Sequence, residues 1–243
     1  MQKISLHEYF STIYLYLNRT FNDIFITFVH SLYYSNMKES FYISKFKEYG
    51  LVDILSIQPD IKVDIKYSTT ENFTGKILYT DDVGVYTEPT LAQAVAQAQN
   101  TLKSINKDFS LVIFDAARPI CIQKEMFDIV KGTPNERFIA NPYGEFAGGF
   151  HNYGMAIDVA IVNKEGNMLD FGTGYDSFED IAHSGGEAEL VKKGLLSLEA
   201  YKNRQLLYYV MGKHGMLPYA YEWWHFQLTY NESDKLKYRL LNF

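Results

Sequence analysis

Six histidines occur in this sequence: His7, His30, His151, His183, His214 and His225. Two of them stand where side chains could do chemistry. His151 lies in Gly148-Gly149-Phe150-His151-Asn152-Tyr153-Gly154, followed by Met155-Ala156-Ile157-Asp158. The glycines mark a tight, irregular segment in which backbone can approach another group closely. Asp158 interrupts an apolar run, and a carboxylate among Ile157, Val159 and Ala160 is costly unless it is paired or holds a metal. Near the C-terminus, Tyr221-Glu222-Trp223-Trp224-His225-Phe226 again embeds ionisable groups in bulky apolar ones. Plainer readings exist for both segments. Asp158 could be hydrogen-bonded to a neighbouring turn with His151 merely nearby, and the second segment could be a Trp-rich core strand with Glu222 at its edge. His214 sits beside an expected helix end, where imidazole often meets the last carbonyls.

Taken together, His151, Asp158 and His225 form a three-ligand set of the kind that leaves the fourth position of a zinc ion to water. One carboxylate and two neutral imidazoles leave a net charge of about +1 on such a site, which lowers the pKa of bound water toward ~7. Glu222, next to a ligand but not needed as one, is the natural general base. A carbonyl attacked there becomes an oxyanion and needs a positive group. Arg118, at the end of the Leu111–Asp115 run and pinned by Pro119, is the best-placed candidate. Its alternative is a salt bridge to Asp115. Cobalt or nickel would also suit this nitrogen and oxygen donor set.

The elements that must position these groups follow from periodicity. Asp60 to Tyr67 alternates, with Ile61, Val63, Ile65 and Tyr67 on one face, and predicts a half-buried strand. Leu91, Val95, Ala98, Leu102 and Ile105 recur at helical steps. A short strand is expected over Leu111 to Phe114, a helix over Ile120 to Val130 and a second strand over Met155 to Val162. A helix over Ser197 to Lys213 and a late strand over Trp224 to Tyr230 follow. On a regular strand Glu222 and His225 would point to opposite faces. If they serve one site, the chain must bulge around Trp223, or Glu222 must precede the strand. The irregular mixture of helices and strands favours α+β over a doubly wound α/β fold.

Composition narrows the function classes. The hydrophobic fraction is 47%, which excludes disorder as the main state. Against 29 acidic residues stand 23 Lys and Arg, a net charge of −6, which argues against binding nucleic acid through a broad basic surface. The single cysteine, Cys121, excludes a disulfide framework and is expected to be a small buried hydrophobe. Residues 1–46 differ in texture, with apolar-aromatic runs over Tyr9 to Leu17 and Ile24 to Tyr34, each shorter than a membrane span. This N-terminal extension reads either as a degenerate export or anchor segment or as extra helices, with Met37 an alternative start. Membrane contact, if any, would run through it, and the cell envelope is slightly favoured over the cytoplasm. Residues 47–243 read as one domain. The sequence does not indicate an oligomeric state.

At the residues named above the sequence resembles the D-alanyl-D-alanine dipeptidases, zinc peptidases of the hedgehog/DD-peptidase fold group. That family carries Ser-x-His-x-x-Gly-x-Ala-x-Asp, read here as Gly149 to Asp158, a Glu-x-x-His matched by Glu222 and His225, and a strand-end Arg-Pro matched by Arg118-Pro119. The stretch from Val63 to Tyr67, through Asn72 to Lys76 and on to Tyr79, looks like the dipeptidase branch rather than the related D,D-carboxypeptidases. The resemblance covers about Leu51 to Leu228. It implies an α+β domain with a mixed, mainly antiparallel sheet and flanking helices, and hydrolysis of a small dipeptide such as D-Ala-D-Ala in cell-wall metabolism. It also implies one Zn²⁺ per subunit held by His151, Asp158 and His225, with Glu222 as general base and acid and Arg118 stabilising the oxyanion. Asp176 is implied to receive the substrate ammonium. The family's Ser is Gly149 here, and loss of a hydroxyl hydrogen bond, a net ~0.5–1.5 kcal/mol, should relax selection at the substrate's amino end. Competing readings are a D,D-carboxypeptidase on longer peptidoglycan peptides, a non-catalytic zinc-containing binding module, and an aromatic-rich envelope protein.

Overall fold

The computed structural model describes residues 39–243 except residue 145. The two aromatic runs of the N-terminal extension, His7, His30 and Met37 lie outside the described residues. In chain order the helices and strands are α1 (Phe41–Glu48), β1 (Val52–Asp53), β2 (Lys62–Val63), β3 (Tyr86–Thr87), α2 (Pro89–Ile105), β4 (Ser110–Asp115), α3 (Ile120–Val130), β5 (Ala156–Val162), α4 (Glu187–Lys192), α5 (Leu198–Gly212), β6 (Leu217–Tyr219) and β7 (Glu222–Gln227). Ser40–Phe243 form one compact unit. Its first helix, α1, spans the 46/47 boundary drawn from sequence texture and buries Phe46 against Tyr86 and Phe243.

A mixed five-stranded sheet in the order β2-β4-β5-β7-β6 forms the centre, and β1 pairs with β3 in a separate ribbon. Only the β2–β4 pair is parallel. The sheet is therefore mainly antiparallel and the class α+β, as the irregular element order predicts. β5 is buried along its whole length, which suits its run of Ile157, Val159, Ile161 and Val162. Helices α2 and α5 pack on each other and on the strands. α2 starts where Pro89 follows Glu88, whose carboxylate accepts the amides of Thr90 and Leu91. Its Leu91, Val95, Ala98 and Leu102 enter the core, whereas Ile105, in the last turn, stays half exposed. In α5 the Ser197 hydroxyl caps the Ala200 amide.

Three expectations need correction. Asp60–Tyr67 is not one strand. Only Lys62–Val63 pairs with β4, and the chain then turns through a 3-10 helix at Lys66–Ser68. The Asn72 side-chain amide donates to the carbonyls of Lys66, Thr69 and Lys76, and this local network outcompetes ladder pairing. Val63 is consequently exposed while Tyr67 turns inward. The late strand is Glu222–Gln227, not Trp224–Tyr230, because a two-residue turn at Ala220-Tyr221 returns the chain onto β6. Cys121 is exposed, not buried: Ile120, Ile122 and Gln123 supply the inward face of α3, and Cys121 lies on the outward one.

Candidate active site

The sheet places the polar groups side by side. Asp158 on β5 is paired directly with His225 on β7. Its neighbour on β4 is Asp115, reached through a register shift in which two β4 steps from Ile113 match one β5 step. Cross-strand partners share a face, so Asp115, Asp158 and His225 form a row across three strands. His151 reaches this row from a single 3-10 turn, Phe150–Tyr153. The turn is tied to the Arg118 segment in both directions: the Arg118 amide donates to the His151 carbonyl at 3.0 Å, and the Asn152 side chain donates to the Arg118 carbonyl at 2.8 Å. Asn152 Oδ1 also accepts the Gly149 amide at 2.9 Å. Gly148 is needed there, since its φ is +73° and a Cβ would stand 2.2 Å from Asn152 Oδ1.

Three atoms meet in a nearly equilateral triangle. His151 Nε2 is 3.1 Å from His225 Nδ1, and each stands 3.2 Å from Asp158 Oδ1. The outer ring nitrogens fix the tautomers. His151 Nδ1 lies 2.7 Å from the Ala116 carbonyl, which can only accept, so Nδ1 carries the proton. His225 Nε2 lies 3.0 Å from Gln227 Oε1, whose amide is oriented by donating to the Thr229 carbonyl. Both inward nitrogens therefore present lone pairs. Asp158 Oδ1 is buried and has no hydrogen-bond donor, while Oδ2 accepts from Tyr175 at 2.8 Å. Three acceptors facing one another without a donor are repulsive unless a cation sits among them. Two donor atoms of a tetrahedral zinc ion at ~2.0–2.1 Å stand about 3.3 Å apart, close to the spacings found here. The residues present fit a divalent metal.

Glu222 begins β7, and its Oε2 is 3.7 Å from His225 Nδ1. Burial in the pocket wall pushes its pKa upward; Asp158 adds to the shift and His225 opposes it. Arg118 is 7% exposed. Its Nε donates to Asp115 Oδ2 and its Nη1 to Gln123 Oε1, each at 2.8 Å, while Nη2 reaches to 4.0 Å from Asp158 Oδ2. The salt bridge to Asp115 and a place in the site are thus not alternatives, because the pairing aims the guanidinium. Asp176 lines the same pocket, of about 570 Å³, as His151, Glu222 and Arg118. It adopts φ = 60°, a left-handed conformation that Asp tolerates better than most residues. Tyr67 donates to its Oδ1 and the Phe73 amide to its Oδ2, both at 3.1 Å. Burial raises its pKa to about 7.

All six side chains picked from sequence for chemistry line this one pocket. The family profile for D-ala-D-ala dipeptidase matches residues 47–243. The chain belongs to the D-Ala-D-Ala dipeptidase family. It is 29% identical over 189 residues to the D-alanyl-D-alanine dipeptidase of Escherichia coli (strain K12), covering 76% of this chain and 88% of that protein. Identity is 25% over 195 residues to the enzyme of the same name from Enterococcus faecalis (strain ATCC 700802 / V583), covering 74% and 92%. The D-alanyl-D-alanine dipeptidase of Streptomyces coelicolor (strain ATCC BAA-471 / A3(2) / M145) is 28% identical over 184 residues, covering 69% and 86%.

In this member of the family several residues complete the site that sequence reasoning passed over. Tyr175 holds the outer oxygen of Asp158, Gln227 fixes the His225 tautomer, and Gln123 shares Arg118 with Asp115. Gln227 had a signal, since it lies two residues after His225 and on the same strand face. Tyr175 and Gln123 had none. Arg204, fully buried on α5, donates to the carbonyls of Phe171, Ile181 and His183 and so fastens the loop that carries Asp176. His183 packs against Phe138 and Tyr221. His214 lies apart from the site. It bonds Thr101 Oγ1 through Nε2 at 2.8 Å, not the helix-end carbonyls.

Proposed function

We propose that this protein is a zinc-dependent dipeptidase that hydrolyses D-alanyl-D-alanine, or a similar small D,D-dipeptide, to free amino acids in cell-wall metabolism. The observation that carries the reading is the donor triangle of His151 Nε2, Asp158 Oδ1 and His225 Nδ1 with the Glu222 carboxylate beside it. These three side chains would hold one Zn²⁺ per subunit. A bound zinc ion supplies Lewis acidity, polarising the scissile carbonyl and making water acidic enough to be deprotonated near neutral pH. Glu222 takes that water proton and returns it to the leaving amine. Arg118, aimed by Asp115 and Gln123, stabilises the negative charge that develops on the carbonyl oxygen. Asp176 pairs with the substrate ammonium, with Tyr67 and the Phe73 amide holding its carboxylate in place.

A dipeptidase is favoured over a D,D-carboxypeptidase by the surroundings of Asp176. Phe73 packs on Phe178, Phe178 on Phe138 and Phe138 on Tyr221, all with ring centroids 5.4–6.2 Å apart. A chain continuing beyond the substrate's amino end would meet this aromatic wall. A purely binding role is disfavoured because both the base and the oxyanion group accompany the ligands. The test is metal analysis and hydrolysis on one sample, with D-Ala-D-Ala and a longer peptide ending in D-Ala-D-Ala. Stoichiometric zinc and cleavage of the dipeptide alone are expected; cleavage of only the longer peptide would assign a carboxypeptidase.

A further inference from the structure

We infer that Arg137 is the cation that receives the carboxylate of the dipeptide, a specificity role that rests on the dipeptidase reading above. A free dipeptide is a zwitterion, and a site that selects it over a longer peptide or an amide must answer both charges. Asp176 answers the ammonium. Three cationic side chains line the same pocket: Arg118, Arg137 and Lys235. Arg118 is committed to Asp115 and Gln123 beside the donor triangle. Lys235 is buried, paired with Glu232 and bonded to the carbonyls of Phe146 and Gly148. Arg137 has no acidic partner among the described residues. Its guanidinium lies 4.7 Å from the Phe138 ring centroid, leaving its planar fork available for a bidentate carboxylate contact.

The backbone around Arg137 supports the assignment. Arg137 lies in the 3-10 turn Pro134–Phe138, whose chain runs on through Ile139 to Ala140. Gln123 Nε2 donates to the Ala140 carbonyl at 2.8 Å, so the residue that aims Arg118 also anchors this segment. A Cβ at Gly149 would stand 3.2 Å from the Ala140 Cβ, tighter than side chains ordinarily pack. Gly149 thus lets the segment that carries Arg137 lie close over the His151 turn. A bulkier residue there would push it outward. The glycine at 149 and a guanidinium with no acidic partner among the described residues are then two parts of one arrangement.

The experiment uses the zinc-loaded full-length protein and two substrates, D-Ala-D-Ala and its C-terminal amide. For Arg137→Ala, kcat/KM on the free acid is expected to fall about 10–100-fold, the worth of a hydrogen-bonded charge pair. The loss should fall mainly in KM, since the contact is held in ground and transition states alike. Hydrolysis of the amide should change little, and Arg137→Lys should recover part of the loss. An equal loss on acid and amide, or no loss on the acid, would overturn the inference while leaving the dipeptidase reading intact. Failure of the wild-type protein to cleave either compound would overturn that reading and the inference with it.

Discussion

Glu222 and His225 stand three residues apart on one strand, yet Glu222 Oε2 comes within 3.7 Å of His225 Nδ1. A regular strand would send them to opposite faces. Pairing with β6 explains the exception. Tyr219 is opposite Glu222 and Pro218 is opposite Phe226, so one step on β6 matches four on β7. The excess is taken up around Trp223 and Trp224. Trp223 stacks on Phe171 at 4.2 Å and donates from Nε1 to Thr173, while Trp224 packs on Tyr175. The two indoles anchor the distortion that brings Glu222 to the His151–Asp158–His225 triangle.

Glu222→Ala should bind zinc as the wild type does and lose at least ~100-fold in turnover, the usual worth of a positioned acid–base group. Metal content by elemental analysis and kcat on D-Ala-D-Ala check this together. Full activity in the variant would remove Glu222 from the proton-transfer role.

His151→Ala should lose the metal itself, because two of three donors remain. Chelation of the wild-type protein should lower its melting temperature, and added zinc should restore it, since a ligand that binds only the folded state stabilises by mass action. Stoichiometric zinc in His151→Ala would sink the ligand assignment.

Asp115→Ala should destabilise the fold by about 3–5 kcal/mol, as expected when a buried ion pair loses one partner and leaves the other charged. Arg118 keeps Gln123 but loses its carboxylate. Activity should also fall, because the guanidinium is no longer aimed. Urea unfolding together with kcat separates the two effects. Unchanged stability would show that Arg118 finds another counter-charge.

Asp176 gives a pH prediction. Its folded pKa, raised to about 7 by burial, lies above the ordinary value of 3.8. The folded state of the substrate-free protein therefore holds this proton more tightly than the unfolded chain, and the group's stabilising contribution is lost as pH rises from about 4 through 7. Asp176→Asn should remove that slope, so the variant gains stability relative to wild type as pH rises. With substrate the sign reverses. The ammonium needs the carboxylate, so KM of the wild type should fall as rising pH ionises Asp176, and the variant should lack this dependence. Thermal melts and KM across pH 5–8 check both. Parallel profiles for the two proteins would exclude Asp176.

Phe178→Ala, two residues from Asp176, should open the aromatic wall and raise cleavage of a tripeptide ending in D-Ala-D-Ala relative to the dipeptide. Both rates on the same preparation give the comparison. An unchanged ratio would mean that the wall does not set substrate length.

Sequence pattern located α2, β4, α3, β5 and α5 to within a residue or two: α2 repeats apolar residues at helical steps, β4 and β5 are short continuous apolar runs buried along their whole length, and Pro119 and the glycines at 212 and 215 mark where α3 begins and α5 stops. It failed at Asp60–Tyr67, where side-chain bonds from Asn72 override an alternating pattern, and at the late strand, which pairing with β6 starts at Glu222; residue type alone misplaced Cys121, whose exposure depends on which face of α3 meets the core. The chemistry of the site was legible as residue types: a carboxylate set in an apolar strand and imidazoles among glycines or tryptophans are expensive choices that demand a reason. The sequence alone therefore singled out a candidate donor set and a candidate base. Only the tertiary structure decided the register that sets Asp158 beside His225 and the carbonyl of Ala116 that fixes one tautomer. It also decided the bulge that turns Glu222 inward and the pairing that makes Arg118 a fixed charge. These are relations between distant segments, fixed by strand pairing and by hydrogen bonds to backbone, and no local pattern encodes which partner a buried polar atom will meet.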